Sequence, residues 1–169
     1  LYMSRVEQRA PATFTNTVEM KGNSRIRNTV PVLQTDASET LTADLNAGRT
    51  TIIPNVSATR TYTLPTPILG MHIHLVGAGA TPTGAADDNT VKIVTGTLNS
   101  EFFWGAMARH DTNQAGQTTS IVWGNGTSND TITIATPQAF DIHLVGKSST
   151  VWYLYGWTAS DGAVTIANS

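Results

Sequence analysis

The chain has 169 residues, a formal net charge of −2, 13% charged residues and no cysteine. It is long enough for one domain to bury a core without staples. The missing cysteines exclude disulfides, thiolate catalysis and cysteine-type zinc sites, the weak net charge gives no pull toward nucleic acid, and no apolar run reaches membrane-spanning length.

Residues 1–35 differ from the rest. They hold Arg5, Arg9, Lys21, Arg25 and Arg27, half of the ten Lys and Arg residues, opposed only by Glu7 and Glu19. The segment is therefore about +3 and the remainder about −5. Its apolar residues follow neither the helical nor the strand period for long. Such a segment cannot bury itself, and we expect an extended basic arm that becomes ordered on a partner. A loosely ordered terminus is the simpler alternative.

Residues 36–169 carry the strong structural signals. The stretch 36–48, DASETLTADLNAG, predicts one short helix, with Thr42 as its cap, Asp44 in the first turn and Gly48 at its end. Alternation then predicts strands near 49–54, 59–64, 71–76, 90–95, 101–107, 119–123, 131–135, 140–145, 151–157 and 164–167. In the third, Ile73 and Leu75 face one way and His72, His74 and Val76 the other. In the ninth, Trp152 faces away from Tyr153, Tyr155 and Trp157. Turn-rich segments separate the strands, among them GAGATPTGAADDN at 77–89 and GNGTSND at 124–130. Threonine, about one residue in six, suits pleated, half-solvated strands.

One pattern occurs twice. Residues 61–77 read TYTLPTPILGMHIHLVG and residues 131–146 read TITIATPQAFDIHLVG. Each predicts two strands joined by a Pro-containing turn, with a third strand after a loop. Copies of such a unit packed face to face would make a two-sheet sandwich. The predicted fold is all-β, a β-sandwich of jelly-roll type with an N-terminal arm; an orthogonal sandwich and a trimeric β-prism are the alternatives.

Chemistry is sparse. His74 and His143 hold equivalent places in the two I-H-L-V-G copies, but a zinc site needs three or four ligands, and only His72-x-His74 adds to the pair. They read as outward polar residues, and no metal or cofactor is expected. Asp87, Asp88 and Asn89 offer oxygen ligands without calcium-loop spacing. Three Asn-x-Ser/Thr sequons, at Asn55, Asn125 and Asn129, read as turns. No nucleophile elbow or phosphate loop is present, and Gly77-Ala78-Gly79 is followed by no helix. Tyr153, Tyr155 and Trp157 suit a sheet core, a subunit contact or a surface patch more than a sugar platform.

The run T-L-T-A-D-L-N-A-G-R-T-T-I-I-P-N-V-S-A-T-R-T-Y-T-L-P at 40–65, then P-x-x-G at 67–70, I-H-L-V at 73–76 and W-x-L-x-G-W at 152–157, resembles a module of tailed-bacteriophage virion proteins. These include head decoration (cement) proteins, head fibres and tail-fibre domains. The resemblance implies a β-rich, commonly homotrimeric protein without catalytic residues. The arm is not part of the pattern. The expectation is thus a non-enzymatic cement protein on the outer surface of the capsid. Its partners would be itself, as a homotrimer, and the major capsid protein, reached through the basic arm, with no nucleic acid or membrane. A receptor- or glycan-binding fibre domain is the runner-up.

Overall fold

The structure is a computed structural model describing residues 30–78, 89–113 and 118–169. Arg5, Arg9, Lys21, Arg25 and Arg27, expected to form the arm, lie outside the described residues, as do Asp87 and Asp88. Two short strands open the domain, β1 (Val32–Leu33) and β2 (Glu39–Thr40), followed by the helix α1 (Ala43–Asn46). Thr42 caps α1 as predicted: its hydroxyl accepts from the Leu45 N–H, while Asn46 Oδ1 accepts from the Thr42 N–H. Gly48, at φ +73°, turns the chain out of the helix. Strands follow as β3 (Thr50–Ile53), β4 (Arg60–Thr63), β5 (His72–Ala78), β6 (Thr90–Val94), β7 (Phe102–Asp111) and β8 (Thr119–Asn125). The last four are β9 (Thr131–Ala135), β10 (Pro137–Gly146), β11 (Val151–Ser160) and β12 (Val164–Ala167). No helix among the described residues is long and apolar enough to cross a membrane.

The strands form a two-sheet β-sandwich. The larger sheet has the order β1-β3-β5-β10-β11-β7-β8 and the smaller β12-β9-β6-β4-β2. From β1 to β7 the chain changes sheet at every strand. Strands two apart in sequence therefore run the same way, and β1, β3 and β5 are parallel neighbours, as are β2, β4 and β6. Hairpins add the antiparallel pairs β7–β8 and β10–β11. A jelly roll is built of antiparallel strands. The likeness to one lies in the two layers and not in the strand directions.

The duplicated pattern is placed by the same crossings. Its T-x-T strands, β4 and β9, lie in the smaller sheet, and its I-H-L-V-G strands, β5 and β10, in the larger. The chain crosses between layers through the Pro65 and Pro67 segment in one copy and through Thr136, just before Pro137 opens β10, in the other. The copies do not pack face to face: β5 and β10 are adjacent and antiparallel, with His74 directly opposite His143. They also diverge after the second strand, since β6 joins the smaller sheet and β11 the larger.

Alternation along the strands fills the space between the layers. Tyr62, Ile93, Ile132 and Ile134 from the smaller sheet meet Ile73, Leu75, Ile142, Leu144, Phe103, Met107, Trp152 and Leu154 from the larger, all buried. Each such side chain contributes about 1.5–3 kcal/mol by leaving water. Two inward-facing glycines fit this packing. Gly105 lies opposite Leu154 and Gly156 opposite Met107, so that a large side chain faces none at each level. At the edge, Val32 and Gln34 are buried, so the sandwich begins inside the segment expected to be arm. Arg49 fixes that entry, with Nε and Nη2 donating to the Val30 carbonyl at 2.9 and 2.8 Å. At the other end, buried Asp130 accepts from the N–H groups of Asn99 and Ser169, both at 2.9 Å.

Candidate functional site

The outer face of the larger sheet carries both groups singled out in the sequence. Outward positions fall in register rows across the strands. One row runs Thr50, His74, His143, Tyr155, Ala106, Trp123; its neighbour includes Tyr153 and Trp104; and on the other side Asp141 pairs with Trp157. Trp104, Tyr153, Tyr155 and Trp157 are 39% to 42% exposed and Trp123 is 77% exposed. The alternation predicted for β11 holds, with Trp152 fully buried beneath them. Lys147 sits over Trp104 with Nζ 3.5 Å from the ring centroid, a cation–π contact at the rim.

The histidines are not independent outward residues. Strand spacing in a sheet is about 4.8 Å, which sets side chains of one row at stacking distance. His143 lies 4.1 Å from His74 and 4.8 Å from Tyr155 between ring centroids, with planes parallel within 6°. The flanking positions complete a hydrogen-bonded cluster. His74 Nε2 is 2.8 Å and His143 Nε2 3.1 Å from the same oxygen, Asp141 Oδ1. On the far side of the rings, Thr50 Oγ1 is 3.1 Å from His74 Nδ1, and His72 Nε2 is 3.0 Å from His143 Nδ1. Burial, reinforced by the nearby His143 and His74, holds the His72 imidazole below its ordinary value, which favours its neutral form. One proton arrangement satisfies every contact with neutral rings: Thr50 donates to His74, His72 donates to His143, and both Nε2–H groups donate to Asp141.

Asp141 was not singled out in the sequence, although a signal exists. The residue before each I-H-L-V-G is His72 in one copy and Asp141 in the other. Because the copies pair antiparallel about His74 and His143, each flanking residue reaches the other copy's histidine. Extending the repeat by one residue joins all four side chains. Asn89, expected as a possible oxygen ligand, instead donates from Nδ2 to the Val56 carbonyl at 2.9 Å. The sequon at Asn125 is a turn, as expected: Asn125 Oδ1 accepts from the N–H groups of Thr127 and Ser128, both at 2.9 Å.

Thr50, His74 and Asp141 form a hydroxyl–imidazole–carboxylate chain, a pattern shared with hydrolases. Here the hydroxyl belongs to a threonine in the sheet ladder and meets Nδ1, with the carboxylate on Nε2. Thr50 pairs directly with His74 across β3 and β5, so the surrounding backbone amides serve strand pairing and not an oxyanion. A second feature is a cleft of about 380 Å³ lined by Trp104, Trp123, Gly124, Asn125 and Asn129. No family model, curated protein or solved structure matches the chain significantly.

Proposed function

We propose that the protein is a structural component of a tailed-phage virion, a decoration protein that sits as a homotrimer on the outer surface of the capsid and stabilises the shell. The observation that carries this reading is the aromatic outer face of the larger sheet. Monomeric soluble proteins rarely leave such a patch uncovered, and broad exposed apolar surfaces usually mark interfaces. A closed ring of three copies would cover it on each. The phage-like sequence run supports the virion context. The basic residues Arg5, Arg9, Lys21, Arg25 and Arg27 supply charge for an arm reaching the major capsid protein. Contacts made only on the expanded shell stabilise that state by mass action. No cofactor enters this role.

The test is the number of copies per particle together with the solution mass. Hundreds of copies per head and a trimer by light scattering are expected. A few copies per particle, or monomer at every concentration, would count against decoration. The cleft between Trp104 and Trp123 favours a second reading, a glycan-binding fibre domain, because sugars stack on indole faces. Its polar groups are largely spent within the turn, however. Asn129 Oδ1 accepts from the Asn125 N–H at 2.8 Å, and Asn125 Nδ2 donates to Ser128 Oγ at 2.8 Å. A glycan screen separates the two readings.

A further inference from the structure

We infer that His74, His143 and Asp141 form a binding site for a divalent transition-metal ion on the outer face of the larger sheet. All of its donors come from one protomer, and it lies beside Tyr155 and Trp157 on the face that a trimer would cover.

Three observations lead to it. The first is the donor set. Two imidazole nitrogens and one carboxylate oxygen, from the adjacent strands β5 and β10, lie within 4.8 Å of one another. That combination suits zinc, cobalt, nickel or copper and disfavours calcium and magnesium, which take oxygen ligands. The second is spacing. Around a tetrahedral ion with bonds near 2.05 Å, ligand atoms stand about 3.3 Å apart. Asp141 Oδ1 is already 2.8 Å from one Nε2 and 3.1 Å from the other. The carboxylate has to withdraw by a few tenths of an ångström, and the two rings, stacked at 4.1 Å between centroids, have to tilt toward each other until both Nε2 lone pairs converge on one ion.

The third observation is the outer support. A ligating histidine normally donates its other ring N–H to a fixed acceptor, which sets the tautomer. Both histidines have such a group in place. Thr50 Oγ1 stands 3.1 Å from His74 Nδ1 and His72 Nε2 stands 3.0 Å from His143 Nδ1. On metal binding each ligand ring moves its proton from Nε2 to Nδ1. The Thr50 hydroxyl rotates to accept, and His72, as its Nδ1–H tautomer, accepts at Nε2. The Thr50–His74 and His72–His143 contacts then persist with donor and acceptor exchanged, while the two bonds to Asp141 give way to the ion. The ligand side chains are 21% to 36% exposed, which gives the ion an entry path and leaves a coordination position for water or an outside donor.

The experiment uses the full chain, stripped with chelator and titrated with Zn²⁺ by calorimetry. One ion per chain at micromolar affinity is expected. Asp141→Asn and His143→Gln should each weaken binding by at least about tenfold, and Thr50→Val by about tenfold through the outer support. His110→Gln should change nothing, since His110 lies apart and contacts Thr119. A second measurement needs no substitution. Ni²⁺ added to the isotopically labelled protein should broaden resonances of residues 72–76 and 141–145 first. Absence of binding at millimolar metal would overturn the inference. So would broadening centred on His110 or on residues 1–29, or Zn²⁺ affinity unchanged in folded Asp141→Asn.

Discussion

Asp36 shows how one side chain ties a turn to a strand. Its Oδ1 accepts from Arg60 Nε at 2.8 Å, and both carboxylate oxygens lie 3.2 Å from the Ser57 N–H. The Arg60 guanidinium, and next the bond from Ser57, lower its pKa from 3.8 to about 2. A depressed carboxylate pKa means that the folded state favours the charged form. The contribution is therefore complete above pH 3.8 and is lost as pH falls toward 2. Carbon-detected NMR titration should find Asp36 among the most acidic carboxyls. Asp36→Asn should flatten the pH dependence of melting within that window and leave it unchanged above.

Among the elements, β11 carries a tight backbone constraint. Gly156 has φ +147°, and a Cβ there would stand 2.2 Å from the Asp141 carbonyl oxygen. Gly156→Ala must push β11 away from β10, and we expect a loss on the order of 3 kcal/mol in denaturant unfolding. The sequence made much at this scale legible. The Thr42 cap, the faces of β5 and β11, and strands β9 and β12 follow from cap chemistry and period-2 alternation. β1 and β2 escaped because two residues cannot express a period. The parallel pairings escaped because alternation reports which face a residue takes, not which strand lies beside it. The histidine cluster stayed hidden for the same reason. It depends on β5 and β10 being neighbours in register, which the repeated pentapeptide suggested without fixing.

At the scale of the molecule, the predictions concern surface and separability. If three copies bury the aromatic face, Tyr153→Lys combined with Trp157→Lys should give monomer by light scattering while far-UV dichroism keeps its β character. An assembly unchanged by both charges would place the interface elsewhere. The arm prediction acquires a limit from the structure. Val32 is buried and the Val30 carbonyl is held by Arg49, so a deletion should stop at residue 29. That truncated protein should keep its fold and melting temperature but bind empty expanded capsids much more weakly. Wild-type binding should weaken with added salt, because charges at a surface are screened beyond about 8 Å near physiological ionic strength. Full occupancy by the truncated protein would make the sandwich itself the docking surface.

The order of strands in the larger sheet governs when the molecule can come into being during synthesis. β11 is the strand that joins β1-β3-β5-β10 to β7-β8, and it spans Val151–Ser160, made after every other strand of that sheet. β7 leaves the ribosome early yet waits for β11, its parallel neighbour, with β8, β9 and β10 made in between. Until then β7 and β10 each present an open edge, the kind of surface on which nascent chains associate wrongly. Ribosome-bound chains arrested before residue 151 should therefore be sensitive to protease along their whole length. Protection should arrive in one late step, once β11 has cleared the exit tunnel. The hazard of misassembly therefore lasts until β11 is made.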